Sequence, residues 1–354
     1  MEFNLRNEQM IAYHRNREDY EPQPEDCLQF AYGDRRYVKM TNQIFASDDV
    51  LKLKNLEEIN EDFHRGDFIT LALLSSDILD VLMSHLSNPH ERIRELSSSA
   101  IVLISSIKFG RDKIMEKFYV PTIMKLLNDQ VVNIRKNGYL SLLNMTEFQQ
   151  GVDHVYAQGI LVPLVNKLVE ESVEDLLTLD LQLLEKILYC GDAQVEILKT
   201  QAIKRLTQLL KRSNFKLRSL ACKNLACISY DANGKLDVIN QGCVLELCER
   251  LLDDHNEVIT NATMALASLA QHNECKFQMM DNNKLDIVIQ LLSHNDHQIK
   301  LNSVQLVTSL AEHPKGRKEC YKCLPTLQNF STDPQYEYIS PYAIQAIEVI
   351  KWEP

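Results

Sequence analysis

No run in this chain approaches the ~18 consecutive apolar residues that a membrane-spanning helix needs. The opening stretch, MEFNLRNEQMIAYHRNRE, has no continuous apolar segment, so no secretory leader is expected. A membrane partner is therefore not expected, and a cytosolic or cytoskeletal location is. An excess of basic charge is also missing. The net charge is −11, which argues against general nucleic-acid binding because that needs a basic face to displace counterions from phosphates. Phosphate-cradling glycine loops, HExxH helices and GxSxG elbows are all absent, so neither catalysis, nor a small-molecule substrate, nor a cofactor is expected. Nine cysteines in a chain of 354 residues without an export signal read as reduced thiols, with Cys222, Cys227, Cys243 and Cys248 inside apolar helical patterns. Tryptophan occurs once, at Trp352.

What is present is a period. Six of the ten glycines, Gly66, Gly110, Gly151, Gly191, Gly234 and Gly316, stand 44, 41, 40, 43 and 82 residues apart. The long gap is two periods, and its midpoint falls at Cys275. A second row of apolar anchors, Ile44, Leu86, Leu127, Val169, Leu210, Leu252 and Leu292, advances by 40 to 42 residues. Spacing of this kind marks a stacked-helix array, in which each unit buries its apolar face only against its neighbours.

Each unit carries three helical patterns. A short one after the glycine places an apolar residue four positions on, at Ile114, Val155, Val195, Val238, Met279 and Cys320. Glycine there suits a sharp turn entered through the left-handed region. An amphipathic second helix follows, as in VPTIMKLL or AIKRLTQLL, then a polar turn, then a longer third helix rich in small residues. Three helices per unit predict an all-α armadillo-repeat array, a right-handed superhelical solenoid of about seven repeats. Residues 1–30 form an N-terminal arm, either disordered or ordered by a partner, and residues 31–321 form the array. Residues 322–354 form a loop with Pro325 and Pro334 followed by a capping helix over 341–352.

Several clusters could carry chemistry, and each has a plainer reading. Cys320 and Cys323 form a lone CxxC without a second pair, too few ligands for structural zinc. His294 and His297 sit in a turn that is polar in every repeat, and Glu170, Glu171, Glu174 and Asp175 occupy an equivalent turn with carboxylates expected to face water. Arg94, Arg135, Arg218 and Lys300 follow the third-helix anchors and are expected to pair with neighbouring turns. Peptide-gripping armadillo grooves use a repeated third-helix asparagine with paired tryptophans. Ten residues after Ile93, Ile134, Leu176, Leu217, Val258 and Ile299 the chain has Leu103, Asn144, Lys186, Cys227, Ser268 and Ser309. Only Asn144 matches, so a periodic peptide clamp is not expected. Asn144, Lys186, Ser268 and Ser309 remain the candidate partner-binding residues, on the concave face, with Cys227 half-buried in the same row.

At its ends the chain resembles one armadillo family. The residues are Ala31–Arg35, the stretch Leu310-Ala-Glu-His-Pro314-Lys-Gly316-Arg-Lys318, and the final Ile347-Glu-Val-Ile-Lys-Trp-Glu-Pro354. With the repeat number and length, these are similar to the radial spoke head 14 homologues of motile cilia and flagella. The resemblance implies a non-enzymatic structural subunit of the axonemal radial spoke, whose partners are other radial spoke proteins. A soluble armadillo adaptor for trafficking or signalling is the alternative.

Overall fold

The computed structural model describes residues 34–46 and 48–352; the whole of the arm expected over residues 1–30 and the last two residues lie outside them. The chain divides into two compact units, one ending at Glu147 and the other beginning at Phe148. All regular structure among the described residues is helical. The first unit comprises α1 (Asp34–Ala46), α2 (Asp49–Asp62), α3 (Gly66–Ser75), α4 (Ile78–His85), α5 (Glu91–Ser106), α6 (Lys108–Glu116), α7 (Val120–Lys125) and α8 (Val132–Met145). The second comprises α9 (Gln149–Ala157), α10 (Leu161–Glu170), α11 (Glu174–Ile187), α12 (Gly191–Glu196), α13 (Ala202–Leu209), α14 (Phe215–Ile228), α15 (Ala232–Asn240), α16 (Cys243–Glu249), α17 (Asn256–Leu269), α18 (Asn273–Asp281), α19 (Leu285–Leu291), α20 (His297–Ala311), α21 (Pro314–Cys320), α22 (Leu324–Thr332) and α23 (Ser340–Lys351). No described helix is long and apolar enough to cross a membrane.

These helices group as seven short–second–third triads preceded by the pair α1–α2. Within the first unit the third helices α2, α5 and α8 pack in succession, and within the second α11, α14, α17, α20 and α23 do the same. The C-terminal helix therefore closes the stack by taking the third-helix place of the last triad. Residues 324–332, expected as a proline-bearing loop, are helical because Pro325 stands in the first turn of α22, where its missing N–H is no loss.

The third-helix anchors Ile93, Ile134, Leu176, Leu217, Val258 and Ile299 are all buried. The second-helix row holds at five of its seven positions. Val169 is 45% and Leu252 62% exposed, while the preceding Leu168 and Leu251 are 0% and 1% exposed and occupy the core. Where two apolar residues are adjacent, helical rotation decides which one turns inward. Val195 is likewise exposed; its six-residue helix gives way to a 3-10 turn that buries Ile197 instead.

The repeat glycines do not turn the chain. They lie within the short helices, and the left-handed corners come later, at Phe118, Gly159, Gly242 and Asn283, between the short and second helices. What Gly110, Gly234 and Gly316 permit is close approach. A Cβ on Gly110 would stand 1.9 Å from the Ile104 carbonyl oxygen, and on Gly234 2.2 Å from that of Ile228. That approach seats the short helix against the C-terminus of the preceding third helix, where Arg111 donates to the carbonyls of Ser105 and Ser106. Gly191 is different, with nothing within 4 Å of its added Cβ.

The polar turns before the third helices share one device. Asn88, Asp129, Glu171, Asp253 and His294 each accept the backbone N–H two residues on. Glu171 thus serves its own turn, and Glu174 accepts from Asn214, so of the acidic run only Glu170 and Asp175 are exposed. The basic row pairs with these turns. Arg218 donates to both oxygens of Asp253 (2.7 and 2.8 Å) and to the carbonyls of Arg212 and Ser213. Arg94 does the same with Asp129. Lys300 instead stands over the Tyr336 ring at 4.8 Å.

Gly110→Ala should lower stability by about 2 kcal/mol through backbone overpacking, whereas Gly191→Ala should stay within about 0.5 kcal/mol of the parent, because helical alanine is tolerated where space is open. Urea denaturation of both variants checks the pair, and equal losses would contradict the close-approach account.

Burial pushes the Asp253 carboxyl up, but the bonds from Arg218 and the His255 N–H outweigh it and leave the folded value lowered. A lowered carboxylate stabilises the fold above the unfolded pKa of about 4, and that contribution is lost as pH falls through the folded value. Asp253→Asn should therefore cost about 2 kcal/mol near neutral pH, between exposed and buried ion pairs. The gap from wild type should close below about pH 4, read as urea midpoints across that range.

Candidate docking surface

Every third helix turns a row of side chains outward. Leu103 and Asn144 in the first unit, and Lys186, Ser268 and Ser309 in the second, are half-buried, so each shows part of its side chain to solvent. Cys227, in the same row, is buried.

The asparagines on these helices are engaged with the fold itself. Asn144 Nδ2 donates to the Val102 carbonyl and Ser105 Oγ, both at 3.1 Å. Asn137 reaches Ser98 Oγ, Asn261 the carbonyl and hydroxyl of Ser219, and Asn302 the Thr260 carbonyl and Thr263 Oγ1. Asn224, fully buried, donates to the Leu181 carbonyl. Each amide binds the third helix one repeat earlier, at an offset of 39 to 43 residues, which is possible only when the repeats stack in register. Asn144, the single match to a peptide clamp, spends its amide hydrogens in this way, so the groove has no free ladder for a peptide backbone. The inner ladder was legible in part. Asn137, Asn261 and Asn302 each stand three residues after an anchor, a spacing hidden by a search at ten.

A second feature was not anticipated. On α11 and α14, buried Glu185 accepts from Lys223 at 2.9 Å and from the Tyr189 phenol at 3.4 Å. Tyr189 is pushed up to about 12 by burial, with the neighbouring Cys227 and Glu185 adding to it. Tyr189 and Tyr230 are exposed and follow the two third helices at the same position. Two aromatic rings and a lysine therefore gather around Glu185 and Cys227 on this part of the face.

The other candidate clusters resolve into structure. His294 accepts a turn N–H, while His297 leans on the Tyr336 ring at 5.8 Å. Cys320 and Cys323 are buried free thiols, and Cys320 donates a hydrogen bond to Cys323; that bond and burial push the Cys320 thiol far up. Burial also raises the thiols of Cys227 and Cys248 to about 12 and that of Cys243 to about 11. No three His, Cys, Asp or Glu side chains among the described residues come together as a metal site.

No family model matches the chain. Solved structures do match its fold. An engineered protein superposes with a TM-score of 0.80 at 18% identity, over 89% of this chain and 78% of that one. A designed armadillo repeat protein gives 0.60 at 20%, over 65% of this chain and 98% of that one. Another, solved in complex with the peptide (KR)4, gives 0.60 at 20%, over 66% and 100%. The chain has an all-α armadillo-type stacked-helix fold.

If the amide ladder holds the stack, Asn302→Ala should cost about 2 kcal/mol, two buried hydrogen bonds with an acceptor left unpaired. Ser309→Ala, which loses only a bond to its own helix at Gln305, should stay within about 0.5 kcal/mol. Thermal unfolding of the two variants decides between a ladder that bears stability and one that does not.

Proposed function

We propose that this protein is a non-catalytic docking scaffold that binds other proteins along the face lined by its third helices. The observation that carries this reading is the contrast between third-helix asparagines engaged with the helix one repeat earlier and a varied outer row. On α8, α14, α17 and α20 an asparagine grips the third helix one repeat earlier. The outer row changes from Asn144, whose amide is engaged with α5, to Lys186 and then to Ser268 and Ser309, as suits a surface that meets different local features of a folded partner. A solenoid offers such a surface at low cost in core, since each repeat needs only its neighbours. A designed armadillo protein bound to a (KR)4 peptide shows that the fold class admits a polypeptide partner. Here the alternating basic peptide of that complex has no matching ladder, and a folded or differently spaced partner is favoured.

The broad reading is an armadillo adaptor. The narrower one, a radial spoke subunit of the ciliary axoneme whose partners are other spoke proteins, rests on the resemblance of residues 31–35, 310–318 and 347–354 to that family. Fractionation separates them. A spoke subunit should stay with the axoneme when isolated cilia are extracted with detergent. Release with the soluble fraction, together with presence in cells lacking cilia, supports the adaptor and ends the spoke reading. In either setting, reversing Lys186→Glu together with Ser268→Glu and Ser309→Glu, with unchanged circular dichroism, should weaken co-purification of the native partners about tenfold, as rim charges and introduced repulsion do. Full retention of those partners would move docking to another face.

A further inference from the structure

Between Glu196 and Asp231 the chain has no acidic residue, while it carries eight lysines and arginines there in a protein of net charge −11. Half of these are committed to the fold. Arg218 holds Asp253, Arg205 donates to the Leu168 carbonyl at 2.9 Å, Lys211 meets Glu246 at 2.6 Å, and Lys223 meets Glu185. Lys199, Lys204, Arg212 and Lys216 are exposed, and no described side chain pairs with them.

Nothing in the architecture asks for these charges. Lys204 and Lys211 project from one exposed face of the second helix α13 and its C-terminal turn, 204, 208 and 211 following helical spacing. The corresponding face carries Val162 and Val169 on α10, and Leu245 and Leu252 on and after α16, all exposed. Arg212 stands where Asn88, Asp129, Glu171, Asp253 and His294 supply a turn acceptor, so its repeat closes the turn through Asn214 instead. The guanidiniums of Arg205 and Arg212 also lie near enough to oppose one another, adding to the burial that pulls Arg205 below its usual range. Like charges gathered without a structural counterpart leave a local positive potential that attracts an anion from outside.

We propose that the face of α13, the turn after it and the first turn of α14, through Lys204, Arg212 and Lys216, docks an extended acidic segment of a partner polypeptide. The stripe is one repeat wide. Glu170 and Asp175 lie exposed on the preceding repeat and Asp254 and Glu257 on the following one. These flanks repel a broad polyanion such as a nucleic-acid duplex or an anionic lipid surface. An extended chain, a few ångströms wide, fits between them. Screening over about 8 Å at physiological salt keeps the remaining negative charge of the protein from cancelling so local an attraction. The site extends the docking reading to a second face and stands apart from the third-helix row.

The full chain is titrated with a fluorescein-labelled octaglutamate peptide, with a DNA duplex, and with vesicles of mixed phosphatidylcholine and phosphatidylserine. Wild type should bind the peptide with an affinity that falls as salt rises. Lys204→Glu with Arg212→Glu and Lys216→Glu should weaken it at least about tenfold without change in circular dichroism. Lys315→Glu with Lys318→Glu, and separately Lys186→Glu, should leave it within about twofold. Loss of binding through Lys186→Glu would assign it to the third-helix face and overturn the proposal while sparing the docking reading. The proposal also fails if wild type ignores the peptide, if the triple variant binds normally, or if the duplex or vesicles bind more tightly than the peptide.

Discussion

A side-chain amide held between two helices has two hydrogens to place, and a buried one left over costs about 1–3 kcal/mol. In this chain Asn302 places both on the helix one repeat earlier, on a carbonyl and a hydroxyl that lie one turn apart. Asn144 repeats the arrangement in the first unit. The geometry is met only when successive third helices stack in a single register, so the amides select the register while apolar burial supplies most of the drive. The glycine contacts depend on it too. Gly110 and Gly234 bring the short helix close to a carbonyl terminus whose position the third-helix stack sets. The arginine clamps close the other end, where Arg94 and Arg218 each join one turn to the next.

The period was legible because apolar side chains must return to the same face once per repeat, and this sets both the glycine and the anchor spacing. Local rotation was not. Val169 and Leu252 kept the period yet faced solvent, because the neighbouring leucines satisfied the same spacing one residue earlier. The glycines were found, but the reason for them was hidden. A close approach to a carbonyl and a left-handed turn leave the same mark in a sequence, and only the backbone distinguishes them. The left-handed corners leave little mark in the sequence, because Phe118 and Asn283 and not glycines occupy two of the four. Of the candidate docking residues, the sequence located the outward row but could not reveal that Asn144 was already engaged, since its partners lie about forty residues away.

The faces of this solenoid therefore divide their work. Residues between third helices are chosen by the fold and recur. Residues on outward rows are free to differ, and where they depart most from their counterparts, as on α13, the departure cannot be credited to packing. Repeat arrays make this comparison possible within one chain, because every position has several structural equivalents carrying the same local demands.

The cysteines turn the second unit into its own reporter of opening. Cys222, Cys227, Cys243, Cys248 and Cys275 are buried in successive repeats, and Cys320 and Cys323 in the last. Burial raises the thiols of Cys222, Cys227, Cys243, Cys248 and Cys275, and the hydrogen bond to Cys323 together with burial raises that of Cys320, so in the folded protein these six are both hidden and protonated, and the thiolate is the form that reacts. Reaction must wait for the local repeat to open. Since a repeat is held only by its neighbours, the terminal one, bounded on one side, should open more often than those within. Alkylation rates read along the chain would then give a repeat-by-repeat profile of how the stack frays, without introducing a single foreign probe.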